Sequence, residues 1–161
     1  MRNKLKNIIN QKYYLLFFLL YLTVLLGLYF DEDNLGGAMH DASYHFKISE
    51  EFNKNFYQTF LKFGGSDDGM ANRNSPVFWI FLSFLNEYFS YDIIRFFNTF
   101  VIFAIAIIFH KTLLLKYKNI QPNILIILSS FIFLSPSLRT LAIWPYSLIW
   151  GLFFFILSIY Y

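Results

Sequence analysis

Apolar residues run in long stretches along this chain, separated by short polar segments. Four stretches are long enough, or nearly so, to cross a hydrocarbon core, which takes about 20 helical residues. They cover residues 13–30, 93–115, 122–138 and 140–161. The pattern predicts an all-α protein, a multi-pass transmembrane helical bundle that forms a single membrane domain over residues 1–161.

The segment between the first and second stretches has a different pattern. Aromatic and aliphatic residues recur every four positions at Tyr44, Ile48, Phe52, Phe56 and Phe60, while charged residues point in other directions. This spacing is typical of an amphipathic helix that lies on a membrane surface. Residues 31–91 are therefore predicted to form an extracytoplasmic loop with interfacial helices.

A short apolar piece, near residues 76–90, allows two topologies. If it crosses the membrane, the lysines at 111, 116 and 118 fall outside, against the tendency of basic residues to stay in the cytoplasm. If it lies in the interface, those lysines are cytoplasmic, and residues 135–146 share the outer side with the acidic loop. We favour the interfacial helix, which gives four spans.

Charges around the first stretch indicate its orientation. Four basic residues lie within positions 2–12, and Asp31, Glu32 and Asp33 follow the stretch directly. We therefore expect a cytoplasmic N-terminus in an integral multi-pass protein of a bacterial inner (plasma) membrane. A cleaved signal peptide is the alternative, but no small-x-small cleavage site follows the stretch.

Composition agrees with membrane insertion. Of the 161 residues, 57% are hydrophobic and only 14% are charged, whereas about 25% are charged in soluble domains. Cysteine is absent, which excludes disulfides and thiol chemistry. The net charge of +3 is scattered between apolar runs, so membrane lipids are expected as partners and nucleic acid is not.

The acidic residues are concentrated, with eight of the ten between residues 31 and 75. Within this loop, Asp41 and His45 are four residues apart and share one helical face, which suggests a base and its partner. The alternative is that Asp41 only caps the helix that follows Gly36 and Gly37, with His45 a surface residue.

The acidic cluster of Asp31, Glu32 and Asp33 is a second candidate for a catalytic base or a divalent-cation site. Its alternative role is only to mark the translocated side of the membrane. Asp67 and Asp68 lie in a glycine-rich turn that lacks the ligand spacing of a calcium loop. No metal ligands are therefore assigned.

Two arginines lie near the ends of apolar stretches, where a charge is costly and tends to have a partner or a function. Arg95 begins the second stretch, and Arg139 lies in the polar hinge 135–140 between the last two. Either guanidinium could hold a phosphate. The alternative for Arg95 is a structural role in which its side chain reaches the membrane interface.

These segments resemble the GT-C superfamily, the multi-span glycosyltransferases that use polyprenyl-phosphate sugars, such as protein O-mannosyltransferases and the lipid A aminoarabinose transferase. The segment from Asp41 to Phe52 looks like the family's Asp-led interfacial helix. Residues 74–79 look like its proline-led aromatic segment. Residues 92–95 and 134–139 are similar to its Arg-bearing span start and its Ser-Pro hinge.

The resemblance implies transfer of a sugar from a polyprenyl-phosphate donor to a hydroxyl of a lipid, glycan or protein on the outer side. Asp41 would accept the acceptor's proton, with Asp31 in reserve and His45 beside Asp41. Arg95 or Arg139 would steady the leaving phosphate, with Glu32 at the substrate. The lipid-linked sugar is a substrate. The resemblance leaves cofactors undetermined, with a divalent cation as one option.

The resemblance has two departures. Many relatives have Asp-Glu at the catalytic position, whereas Asp-Ala stands at 41–42 and Asp-Glu at 31–32. The chain also has fewer spans than such enzymes and stops within an apolar run, so we expect it to be the N-terminal portion of a longer protein. The alternative function is a non-catalytic membrane subunit or part of a polysaccharide or lipid transporter.

Overall fold

The computed structural model describes residues 2–62 and 76–161, with side chains described from residue 13 onward. Within these ranges the regular structure is helical, and no strand occurs, so the predicted all-α class is confirmed. The helices are α1 (Arg2–Tyr29), α2 (Ala38–Lys54), α3 (Phe56–Lys62), α4 (Val77–Tyr88), α5 (Tyr91–Lys116), α6 (Pro122–Leu134), α7 (Pro136–Ile143) and α8 (Ser147–Tyr160). The turn predicted at 66–69 and the start of the proline-led segment at 74–75 lie outside the described residues.

One helix, α5, is long and apolar enough to cross a membrane. A second candidate is the pair α6 and α7, which passes the same test only if the two helices count as one span bent by 57°. The apolar part of α1 with described side chains, Tyr13–Tyr29, is shorter, as is α8.

Prolines break the last two predicted stretches into shorter helices. A proline nitrogen has no hydrogen to donate, and the proline ring disfavours the helical conformation at the preceding residue. Ser135, before Pro136, and Trp144, before Pro145, both have extended backbone with ψ near 115° (114° and 116°). The helices therefore end at Leu134 and Ile143 rather than running through 122–138 and 140–161.

The amphipathic segment of the acidic loop forms two helices rather than one. Asn55 separates α2 from α3, with an extended φ of −155°. Its side-chain Oδ1 accepts a hydrogen bond from the Gln58 backbone N–H at 3.3 Å, which is the usual capping role of asparagine at a helix start. Ile48 and Phe52 before the break are buried, whereas Phe56 and Phe60 after it are exposed.

The chain forms two compact units. The first comprises Met1–Gly36 and Arg95–Tyr161, and the second comprises Gly37–Ile94. In the second unit, α2 packs on α4 through two small apolar clusters that include Phe46 with Leu82 and Phe52 with Trp79.

In the first unit, α1 packs against α5, α6 and α7. Phe17 and Val24 are buried on the inner face of α1, and the Tyr21 hydroxyl lies 2.7 Å from Thr99 Oγ1 of α5. This packing brings the C-terminal end of α1 next to the beginning of α5 and to α7, where the polar residues of the unit meet.

Candidate functional site

The site begins where α1 ends. Asp31 has a positive φ of 53°, a conformation that aspartate tolerates better than most residues because its short side chain is polar. The Glu32 backbone N–H donates to the Gly27 carbonyl at 2.8 Å, and the Asp31 N–H donates to the Leu28 carbonyl at 3.3 Å. These two bonds form a Schellman motif. The motif turns the chain at the end of α1, directly where the carboxylates of Asp31 and Glu32 follow the helix.

Asp31 pairs with an arginine from a distant part of the chain. Arg95 Nη2 donates to Asp31 Oδ1 at 2.6 Å. The arginine side chain is 9% exposed, whereas that of Asp31 is 57% exposed. No described residue forms a hydrogen bond with Asp31 Oδ2. An exposed carboxylate oxygen thus lies beside a buried positive charge.

Trp144 supports this arginine from the other side. The Arg95 guanidinium carbon lies 3.7 Å from the centre of the Trp144 ring, within the range of a cation–π interaction. Arg95 Nε also points to the Ile143 carbonyl at 3.5 Å. The indole N–H of Trp144 donates to the Glu32 carbonyl at 3.0 Å, so one ring contacts both Arg95 and the acidic segment.

Glu32 pairs with Arg139 in a more enclosed arrangement. Arg139 Nε donates to Glu32 Oε1 at 2.8 Å, and Nη2 donates to Oε2. Arg139 also donates to the hydroxyl and carbonyl of Thr23, at 2.8 Å and 2.9 Å. The hydrogen bonds from Arg139 lower the pKa of the Glu32 carboxyl below its ordinary value, against the effect of burial.

The two ion pairs have different surroundings. The side chains of Arg139 and Glu32 are 16% and 20% exposed, and each nitrogen of Arg139 already donates to a protein acceptor. Arg139 therefore has little capacity left for a ligand and mainly fixes Glu32. Asp31 is the accessible group of the cluster.

Gly27 allows the side chains of Glu32 and Arg139 to lie close to the backbone of α1. A Cβ atom at this buried position would collide with Glu32 Oε2 and lie 3.1 Å from Arg139 Nη2 and 3.0 Å from Ile143 Cδ1. Any larger residue would displace the Glu32–Arg139 pair. The sequence analysis assigned no role to this glycine, which lies within an otherwise continuous apolar stretch.

Asn98 is a second residue that the sequence analysis missed. Its side-chain nitrogen donates to the carbonyls of Leu141 and Ala142 at 3.1 Å and 2.7 Å, and its Oδ1 accepts from the Trp150 indole at 2.9 Å. Asn98 thereby satisfies carbonyls at the end of α7 and holds that helix against α5. The signal available in the sequence was an amide three residues after Arg95 within an apolar stretch.

Asp41 and His45 belong to the other unit. α2 begins at Ala38 with Gly37 as its N-cap, so Asp41 is in the first turn and is not the cap. Asp41 is exposed, whereas His45 is buried. Trp79 Nε1–H donates to His45 Nδ1 at 2.6 Å. Burial lowers the pKa of His45, and the charge of Asp41 opposes this shift.

The cluster of Asp31, Glu32, Arg95, Arg139 and Trp144 can bind and polarise a polar group at the end of an apolar helix. In the described part of the chain, no group of three His, Asp or Glu side chains is arranged to hold a metal ion. The comparisons with known proteins give no family, curated protein or solved structure that matches this chain.

Proposed function

We propose that this chain is part of a membrane glycosyltransferase of the GT-C type, which transfers a sugar from a polyprenyl-phosphate donor to a hydroxyl acceptor on the extracytoplasmic side. The main observation in support is the Asp31–Arg95 pair, in which an aspartate side chain that is 57% exposed is bound to an arginine side chain that is 9% exposed. An ionised carboxylate accepts the acceptor's proton, and the adjacent guanidinium stabilises negative charge on the departing phosphate.

This geometry favours Asp31 over Asp41 as the base. Asp31 and Arg95 supply the two required charges within one cluster, whereas Asp41 lies in a separate unit. Arg95 is then the arginine next to the base, while Glu32 and Arg139 position the segment that carries Asp31. Asp41, with His45 one turn away, is the alternative base.

Exposed apolar faces support a multi-pass protein. On α1, buried Phe17 and Val24 contrast with exposed Leu15, Phe18, Leu19, Leu22 and Leu26 on the remaining surface. Similar rows of exposed aliphatic and aromatic residues lie on α5, α6 and α8. Water would disfavour such patches, whereas lipid chains would cover them. Membrane insertion through several helices is thus part of the proposal.

The experiment reconstitutes the full-length protein in liposomes and measures polyprenyl phosphate released from a panel of undecaprenyl-phosphate sugars. A mixed extract of lipids, glycans and proteins is added as the source of hydroxyl acceptors, so that the sugar can be transferred without the acceptor being identified. Polyprenyl phosphate is the product common to all donors. We expect release from at least one donor, and a loss of about 100-fold or more in Asp31→Asn. Asparagine tolerates a positive φ and keeps an oxygen for Arg95, so the variant removes mainly the charge.

Asp33→Asn is the matched control, because Asp33 lies two residues away and uses Oδ1 to accept the Gly36 N–H at 3.0 Å. Asparagine retains that acceptor, and we expect activity close to wild type. Absence of release from every donor by a folded full-length protein would contradict the proposal and favour a non-catalytic subunit or transporter component.

A further inference from the structure

A buried amide on α5 contacts both flanks of the segment that carries Trp144. Asn98 is 3% exposed. Its side-chain nitrogen donates to the carbonyls of Leu141 and Ala142 in the last turn of α7. Its Oδ1 accepts from the indole of Trp150 in the first turn of α8. These three hydrogen bonds hold the short connection between α7 and α8 from both sides.

A proline explains why the end of α7 needs a donor from another helix. The Trp144 N–H still donates to the Thr140 carbonyl at 2.9 Å. The next carbonyl, that of Leu141, would take the N–H of residue 145, but Pro145 has none. The Asn98 amide supplies the missing donor at 3.1 Å. Because a buried carbonyl without a donor is costly, the end of α7 is tied to Asn98.

Only one orientation of the Asn98 amide satisfies all three partners. The two carbonyls require N–H donors, whereas the Trp150 indole N–H requires an oxygen. The amide therefore uses its nitrogen on α7 and its oxygen on α8. Leucine, which has a similar size, offers neither function, so Asn98→Leu removes all three bonds with little change in volume.

The same end of α7 determines where the Trp144 ring lies. Trp144 directly follows the helix, has extended backbone and is 1% exposed. Its ring centre is 3.7 Å from the guanidinium carbon of Arg95, which donates to Asp31. A displacement of the end of α7 would therefore move the ring that supports Arg95.

We propose that Asn98 is a positioning residue for the Asp31–Arg95 pair. It fixes the end of α7 so that the Trp144 ring lies over Arg95 and the guanidinium stays directed at Asp31. Its effect on the ring is independent of sugar transfer, whereas its effect on the reaction rate rests on the proposed function. The two effects are therefore measured separately.

The first test is fluorine NMR of the full-length protein labelled with fluorotryptophan in micelles. The chain has three tryptophans, and each resonance is assigned by replacing one of them with phenylalanine. We expect Asn98→Leu to shift the Trp144 resonance, as Arg95→Lys also should, and to leave that of Trp79 in the other unit unchanged. Asn98→Ser, whose hydroxyl is one bond shorter than the amide, replaces Asn98→Leu if that variant does not fold. An unchanged Trp144 resonance would overturn the proposal.

The second test is steady-state kinetics of polyprenyl phosphate release. Asn98→Leu should lower kcat about tenfold and change KM for the donor by less than about twofold. The reason is that negative charge on the departing phosphate increases in the transition state, where a displaced Arg95 stabilises it less. An unchanged kcat would contradict a positioning role.

Phe133→Leu is the control for a general loss of stability. Phe133 is fully buried and packs on Phe17 and Phe103. This variant should unfold at a lower temperature but keep the wild-type Trp144 resonance and kcat. An equal loss of kcat in Phe133→Leu would overturn the proposal. If the wild-type protein released no polyprenyl phosphate, the proposed function would fail, and the NMR result would still decide whether Asn98 positions Trp144.

Discussion

The Arg95 guanidinium lies over the Trp144 ring, with 3.7 Å between its central carbon and the ring centre, while the same arginine donates to Asp31. These contacts join the start of α5 to the end of α7 and the end of α1. The planar stacking orients Arg95 toward the one exposed carboxylate of the cluster. Arginine rather than lysine is required for this arrangement, because only the guanidinium is planar and delocalised.

Replacing Arg95 with lysine tests whether the planar shape of the guanidinium matters in addition to its positive charge. We expect Arg95→Lys to lower kcat/KM for the polyprenyl-phosphate donor about tenfold or more, since the ammonium keeps the charge but loses the stacking on Trp144. Trp144→Phe keeps an aromatic face but loses the indole N–H and part of the ring area, so a smaller decrease is expected. Wild-type kinetics in Arg95→Lys would mean that the stacking does not matter.

Breaking the Glu32–Arg139 pair should destabilise the protein. Glu32→Gln leaves Arg139 largely buried without its counter-charge, which costs about 3 kcal/mol in comparable pairs. Glu51→Gln is the control, because the Glu51–Lys54 pair is exposed and solvent screens such pairs, so they contribute little to stability. The free energies of unfolding of both variants can be measured by denaturant titration in mixed micelles. Similar losses in the two variants would contradict a special role for Glu32.

Two helical glycines should respond oppositely to alanine. Gly151→Ala introduces a methyl group into open space and should stabilise α8 by up to about 1 kcal/mol, because alanine is the better helix former. Gly27→Ala drives a methyl group into Glu32 and Arg139, so it should lower thermal stability despite the same propensity gain. An increase in the melting temperature of Gly27→Ala would argue against the packed cluster.

His45 should make the stability of the second unit depend on pH. Its pKa is lowered from the ordinary 6.5 by burial, so the unfolded chain binds the proton more readily than the folded one. Stability is then retained above about pH 6.5 and decreases as the pH falls through and below that value. Protonation would also place a second N–H against the Trp79 donor.

The measurement is thermal unfolding followed by Trp79 fluorescence in a Trp144→Phe, Trp150→Phe background between pH 8 and pH 5, about 1.5 pH units on either side of the ordinary histidine value. His45→Gln should flatten the pH dependence, whereas His40→Gln, an exposed residue of the same helix, should preserve it. A pH dependence that survives in His45→Gln would assign the effect to another group.

Much of the secondary structure follows from the sequence because apolar periodicity and prolines act locally. The Glu32–Arg139 pair joins the hinge at 135–140 to the acidic segment, whereas the outer side of the membrane expected for both stays a prediction. Where the helices end was harder to predict. Asp31 adopts a left-handed conformation that usually favours glycine, and Asn55 ends one helix and caps the next.

Local sequence patterns did not show which residues of the site pair with one another. Arg95 and Asp31 are 64 residues apart, and spacing along the chain does not reveal which carboxylate meets which arginine. The same holds for Gly27, whose importance depends on Glu32 folding back over it. Aromatic residues such as Trp144 are common at membrane interfaces, so nothing in the sequence singled out its contact with Arg95.

The most direct measurement is the ratio of initial transfer rates for Asp31→Asn and Asp41→Asn, both in the full-length protein at equal membrane abundance. If Asp31 is the base, Asp31→Asn loses about 100-fold or more in rate, and Asp41→Asn stays within a few-fold of wild type. An inactive Asp41→Asn together with a nearly wild-type Asp31→Asn would contradict the assignment and move the chemistry to the helix that carries His45.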